Sequence, residues 1–293
     1  MSDPSRLSYT LPEPLPIAQM VIGKPAGVVA TMLPRLFNLC RVAQAQAVGV
    51  ALGLDTPADV ATEILRDHLL KLFVTWPELL GLGSRPLPGN WSGDCEGVLR
   101  AIFGPAGEPV SPVDFGDFLL SGQGVAPVLR AIDRSFGKDE ATCALLPLAT
   151  PETIWSTRPM ENSVAMRHAN NPSMRAIETA RGRGPLWRAA ARVLDVAAVY
   201  DKVIPAPYSP EPGVAVVSAA RGAYGLKLKV DAGVVTDFAR VTPTDTLIAG
   251  GVLEQTLASI DPARAGLAAL VIDILDPCVP IRLQQGVMAG SHA

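Results

Sequence analysis

Through much of the first two thirds of the chain, apolar residues recur at three- and four-residue steps. In a block of the last third the step shortens to two. Residues 1–30 are proline-rich and read as extended, with an alternation over 16–21 that permits a short strand. Residues 28–54 carry a helical pattern that is interrupted or re-aimed near 34–40, where Pro34 removes a backbone donor. A second helix is expected over 60–72, capped by Thr56 or Asp59 and ended by Trp76-Pro77. Pro and Gly crowd 82–93 and 104–112, which read as loops. One or two short helices are expected within 114–135, most clearly over 126–134. Residues 138–175 read as irregular and 173–200 as helical, although Arg188, Arg192 and Asp195 break the apolar run over 186–200. After a proline-rich linker over 205–212, residues 214–219, 225–230 and 234–242 read as strands, with Asp231-Ala232-Gly233 as a tight turn. Helices over 248–260 and 262–274 follow, with Asp261 as a cap between them. The second delivers Asp276-Pro277-Cys278 at its end, because Pro277 cannot continue a helix.

The pattern predicts one α+β domain over residues 1–293. It is mostly helical over about 28–205, with a small antiparallel sheet and C-terminal helices over about 213–284. Charged residues are 18% of the chain and apolar residues 48%. That balance implies an extensive core or an apolar docking face. A net charge of −3, with no long basic run, offers nothing to nucleic acid or to an anionic membrane. The first residues do not read as a secretory signal, and no apolar run is long enough to span a bilayer. Four cysteines in a chain of this length do not make a disulfide framework, so a reducing cytoplasm is expected.

Two of those cysteines lie in suggestive settings. Cys40 sits in Leu33-Pro34-Arg35-Leu36-Phe37-Asn38-Leu39-Cys40-Arg41-Val42-Ala43-Gln44. Cys278 sits in Asp276-Pro277-Cys278-Val279-Pro280-Ile281-Arg282-Leu283-Gln284. These segments resemble the Arg-x-Cys-x-x-Cys-x-x-x-His and Asp-Pro-Cys-x-x-Cys-x-x-His motifs of nickel–iron hydrogenase large subunits. Here Phe37 and Ile281 stand in place of two cysteines, and Gln44 and Gln284 in place of the histidines. Ser218-Ala219-Ala220-Arg221-Gly222 resembles that family's Glu-Ala-Pro-Arg-Gly, and residues 61–70 resemble the helix after its first motif. The order of parts is also the same: a strand, an Asp-x-Gly turn, a strand ending in Thr242-Pro243-Thr244, helices, then Asp-Pro-Cys. Shortness, the single cysteine per motif and Asp67-His68-Leu69-Leu70-Lys71-Leu72-Phe73-Val74-Thr75-Trp76-Pro77 together resemble one relative, the HupK (HoxV) family of hydrogenase expression/formation proteins.

That resemblance implies a hydrogenase-large-subunit-like fold and a non-enzymatic cytoplasmic scaffold. It would hold or deliver iron with its cyanide and carbonyl ligands, for transfer to the hydrogenase large subunit with the help of accessory maturation proteins such as small hydrogenase chaperones. Cys40 and Cys278 are the implied metal ligands. Two soft thiolates suit low-spin ferrous iron, and the missing thiolates imply no nickel and an uncut tail over 285–293. Cys40 matches a bridging position of the hydrogenase motif and Cys278 a nickel-only one, so the iron ligand set does not carry over unchanged. Arg221 is implied beside the diatomic ligands, Asp276 as its partner, and Pro243 and Thr244 as the segment offering a donor to the other cyanide. The aspartate expected before Trp76 is replaced by Thr75, which leaves the acidic network around the site incomplete. His68 reads as a core residue or a ligand, Cys95 and Cys143 as buried structural thiols, and Arg181-Gly182-Arg183-Gly184 as a solvated loop. A rival reading is a docking protein that has kept the fold and lost the metal.

Overall fold

A computed structural model describes residues 7–36, 39–55 and 59–284, so Phe37, Thr56 and the tail after Gln284 lie outside the described residues. The fold is α+β, about half helical, with two small antiparallel sheets. Two large cores adjoin, and the cysteine motifs meet at their junction.

The first core is built on the helix Pro185–Tyr200, in which every residue from Pro185 to Val199 is buried. A helix enclosed on all sides has no solvent face for its charges, so Arg188, Arg192 and Asp195 do not break it. They pair inward instead, with Glu161, Asp276 and His68 respectively. Residues 60–72 form the helix Val60–Leu70, with the Asp59 side chain accepting from the Thr62 amide. Trp76-Pro77 does not end it. The chain passes through a π turn, Lys71–Thr75, and runs on to Leu79. Pro77 has no N–H for the carbonyl of Phe73, and that carbonyl instead accepts from the Arg85 amide at 2.7 Å.

In the second core the helix Arg41–Leu52 lies on a three-stranded sheet, with Ala43, Ala47 and Ala51 packed among Ala215, Val217 and Leu226. The strands Val214–Ala219, Gly222–Asp231 and Val234–Val241 fall where the alternation puts them. Ala232 and Gly233 both take positive φ in the last turn, as a two-residue hairpin of this hand requires. The first hairpin turns on Ala220 and Arg221, since Ala219 pairs with Gly222, and this places Arg221 at a sheet end facing both cores.

Several expectations are corrected. Residues 16–21 form a helical turn, Ile17–Val21, because Ile17 and Val21 are one turn apart and both buried; the helix Ala26–Met32 likewise replaces extended chain. The span 248–260 is divided into Pro243–Ala249 and Val252–Ala258 by Gly250 and Gly251, and 262–274 opens as a 3-10 segment, Pro262–Leu267, before Ala268–Leu275. Arg183 is not solvated: it pairs with Glu178 and lies over the Trp187 ring. Arg181 forks onto Asp133. Cys95 is exposed rather than buried. The strand Ser8–Thr10 pairs with Arg282–Gln284, joining the two ends of the described chain.

Gly222 holds Arg221 in position. Its φ is +147°, and a Cβ there would lie 2.6 Å from the Asn162 carbonyl oxygen and 2.8 Å from the Asn162 side-chain oxygen that accepts from Ala223. Gly222→Ala should therefore cost roughly 2–3 kcal/mol in equilibrium urea unfolding. Gly233→Ala, at φ +80° with nothing within 4 Å, should cost about 1 kcal/mol. Equal losses would show that crowding at Asn162 is not what Gly222 relieves.

Candidate metal centre

Cys40 is the residue before the helix Arg41–Leu52, and its backbone is left-handed, with φ 54° and ψ 34°. That conformation costs a non-glycine residue on the order of 1–2 kcal/mol and commonly marks a functional site. Two free amides of the helix start are already taken, since Glu63 accepts from Val42 and Ala43 at 2.9 and 3.2 Å. The other motif is built alike. Asp276 ends the helix Ala268–Leu275 in the left-handed region, and Pro277 turns the chain so that the Cys278 amide donates to Thr244 Oγ1 at 2.7 Å.

These two turns bring Cys40 and Cys278 to the wall of one cavity, near enough for each thiol to perturb the other's titration. Cys40 holds Cys278 down at about 7, with help from Arg221 and Thr244. Cys40 is pushed up, first by Cys278 and then by burial. Cys278 is thus the thiol of the pair that loses its proton first, and Cys40 the one that keeps it.

Arg221 supplies the countercharge. Its Nη1 donates to Cys40 Sγ at 3.3 Å and to Asp67 Oδ2 at 3.1 Å. Its Nε lies 3.2 Å from Asp276 Oδ2, an ion-pair contact off the hydrogen-bonding direction. Burial opposes the Arg221 cation, but Asp276, the two cysteines and Asp67 outweigh it and hold the proton more firmly than usual. Asp276 is tied in turn by Arg192 Nη2 at 2.8 Å and Lys71 Nζ at 3.2 Å. Burial works against its charge as well, yet these cations bring the carboxyl down to about 2.

The network continues inward. Arg192 Nη1 meets His68 Nδ1 at 3.0 Å, and His68 Nε2 meets Asp195 Oδ2 at 2.8 Å. A guanidinium can only donate, so Nδ1 accepts and the proton of His68 is on Nε2. Burial keeps the ring neutral, with its pKa lowered to about 4. Arg167 and His168 complete the coordination of Asp195. His68 is therefore a fully satisfied core residue that sits behind the site.

A cavity of about 380 Å³ opens beside the thiols, lined by Cys40, Cys278, Gln44, Pro243 and Thr244, with Leu36, Leu39 and Val279 among its apolar walls. Arg221 and Asp276 border a water-sized void of about 10 Å³ on the other side of Pro243 and Thr244, which line both spaces. All six expected site residues thus converge. Of the two glutamines in histidine places, Gln44 is buried at the cavity, whereas Gln284 is exposed and hydrogen-bonded to Ser8. The carboxylate expected before Trp76 is supplied from elsewhere: Trp76 Nε1 donates to Asp273 Oδ1 at 2.9 Å, which also pairs with Lys71. Asp67 and Lys71 lie in the stretch 67–77 that carries the resemblance, but neither they nor Arg192 and Asp273 were expected at the site, which they join through the fold. For Arg192 the visible signal was its i, i+4, i+7 spacing with Arg188 and Asp195 on an otherwise apolar helix. Among the described residues no group of three or more His, Cys, Asp or Glu side chains could hold a bare metal ion.

No protein-family model matches the chain. It is 49% identical over 281 residues to the hydrogenase expression/formation protein HupK of Rhodobacter capsulatus, a match covering 95% of this chain and 93% of that protein.

The neutral His68 makes a pH prediction. Its folded pKa of about 4 is below the ordinary 6.5, so the unfolded chain takes up the proton first. The stability it contributes is complete above pH 6.5 and is lost as pH falls towards 4, by roughly 3 kcal/mol at about 1.4 kcal/mol per unit. Urea unfolding across this range should show that decline. His68→Gln, which can still accept from Arg192 and donate to Asp195 without titrating, should flatten it. An unchanged slope in the variant would assign the acid sensitivity to another group.

Proposed function

The chain belongs to the family of the hydrogenase expression/formation protein HupK, and from that membership we propose that it is a scaffold in nickel–iron hydrogenase maturation. Its cargo is iron with cyanide and carbonyl ligands, held by Cys40 and Cys278 and passed to the hydrogenase large subunit with accessory maturation proteins. The supporting observation is two cysteines on the wall of one cavity, with a buried guanidinium 3.3 Å from one sulfur.

The ligand count favours this cargo. Two protein sulfurs are too few for a bare ion, but an iron that brings three diatomic ligands needs little more. The charge balance points the same way. Thiolates and cyanides bring negative charge into a space shielded from water, which is costly without a compensating donor. Arg221 provides that charge, and its buried Nε has no hydrogen-bond acceptor among the described residues. Asp67 and Asp276 fix the guanidinium, while Pro243 and Thr244 close the wall opposite. Apolar Leu36, Leu39 and Val279 keep the space poor in solvent. We further propose that the fold is that of a shortened hydrogenase large subunit, without a nickel position because Ile281 and Phe37 bring no thiolate.

The protein purified without oxygen from cells with a complete maturation system should carry iron, show cyanide and carbonyl infrared bands, and contain no nickel. Cys40→Ala and Cys278→Ala should each deplete the iron while leaving the circular dichroism unchanged; full retention in either variant would remove that cysteine from the ligand set. Absence of both iron and infrared bands in the parent protein would leave a metal-free docking role.

Arg221→Leu should weaken retention of the fragment by roughly tenfold to a hundredfold, as expected for losing a buried charged hydrogen bond, and should shift the cyanide bands. Arg221→Lys should recover only part, because a point charge cannot reproduce the fork. Bands and iron content unaltered in Arg221→Leu would separate Arg221 from the cargo.

A further inference from the structure

Behind the Cys40 turn lies a second cleft of about 560 Å³, on the side of the helix away from the thiol cavity. Three exposed arginines line it: Arg35 from the 3-10 segment Leu33–Arg35, Arg41 from the first turn after Cys40, and Arg66 from the helix Val60–Leu70. Against the Asp59 and Glu63 that share the lining they leave the cleft a net excess of one positive charge, in a chain of net charge −3. We infer that this cleft docks an acidic segment of a partner protein, through carboxylates gripped by Arg35, Arg41 and Arg66.

Carboxylates line the same cleft, but both are committed to the backbone. Asp59 accepts from the amide and hydroxyl of Thr62, and Glu63 accepts from Val42 and Ala43. Both keep their charge, and Glu63 acts electrostatically on Arg66, which also has a contact of 3.2 Å to Asp67, shared with Arg221. Arg35 and Arg41 have no carboxylate partner among the described residues, so these two are the guanidiniums left to attract an incoming anion.

The same two carboxylates decide which anion. A phosphate site is ordinarily built from free amides at a helix start. Here both helix starts in the cleft are closed by the protein's own Asp59 and Glu63, so no amide cradle remains. What is left is a broad, open trough with planar forks around it. That geometry matches several carboxylates spaced along a chain, each bound by two N–H groups.

The probe is a rhodamine-labelled peptide of alternating Glu and Ala, with a Lys-for-Glu version as control, followed by fluorescence anisotropy on the full-length protein. The acidic peptide should bind, weaken as salt is raised, and lose about tenfold or more in affinity to Arg35→Glu/Arg41→Glu. Arg35→Gln/Arg41→Gln, a milder change at exposed positions, should give an intermediate loss with an unaltered urea-unfolding midpoint. Three outcomes would overturn the inference: equal binding to parent and variants, equal binding of the Lys peptide, or displacement of the acidic peptide by low-millimolar inorganic phosphate. Preferential binding to phosphatidylserine vesicles, abolished in the same variants, would assign the cleft to a membrane surface instead.

Discussion

The site depends on one buried cation. Arg221 stands between four groups that would be destabilising without it: the Cys40 sulfur, the more acidic Cys278 thiol, and the carboxylates of Asp67 and Asp276. These come from three separate stretches of chain, so the guanidinium is also the point at which the two cores are held in register. Buried ion pairs are seldom a net source of stability, because desolvation offsets much of the attraction. Their removal is nevertheless costly, since the partners are then left charged and unpaired. Such an arrangement trades stability for position, and position is what a two-thiol site requires.

The supporting residues extend this logic in depth. Arg192 and Lys71 hold Asp276 from behind, His68 orients Arg192, and Asp195 orients His68. Each member is satisfied by the next, so the chain of contacts reaches from the cavity to the middle of the helical core. The thiol cavity is therefore backed by a stiff polar spine, in contrast to the small apolar rim formed by Leu36, Leu39 and Val279.

Much of this was legible in the sequence, for identifiable reasons. Strands such as 214–219 and 234–241 declare themselves through apolar, β-branched runs bounded by turn residues. The converging site residues were visible because their spacing resembles a known pattern. The misses have other causes. Pro77 has a strong local meaning that a tertiary contact overrode: a distant amide took the carbonyl that Pro77 left. Asp67, Lys71, Arg192 and Asp273 were given no site role, because a charged residue in a helix reads the same whether it faces water or an ion pair. The pairing of Ser8–Thr10 with Arg282–Gln284 escaped for a similar reason, since three-residue strands carry too few positions to show a period.

The pairing of Ser8–Thr10 with Arg282–Gln284 has a consequence for the second thiol. Ser8 and Gln284 are 276 positions apart, and Cys278 lies just before the second of these strands. The ladder therefore ties the segment that carries Cys278 to the opposite end of the described chain. Opening it would loosen Cys278 and its Thr244 contact, while Cys40 and Arg221, held by the helix Arg41–Leu52 and the three-stranded sheet, would stay in place. The geometry of the two cysteines thus hangs on a short and separable pair of strands.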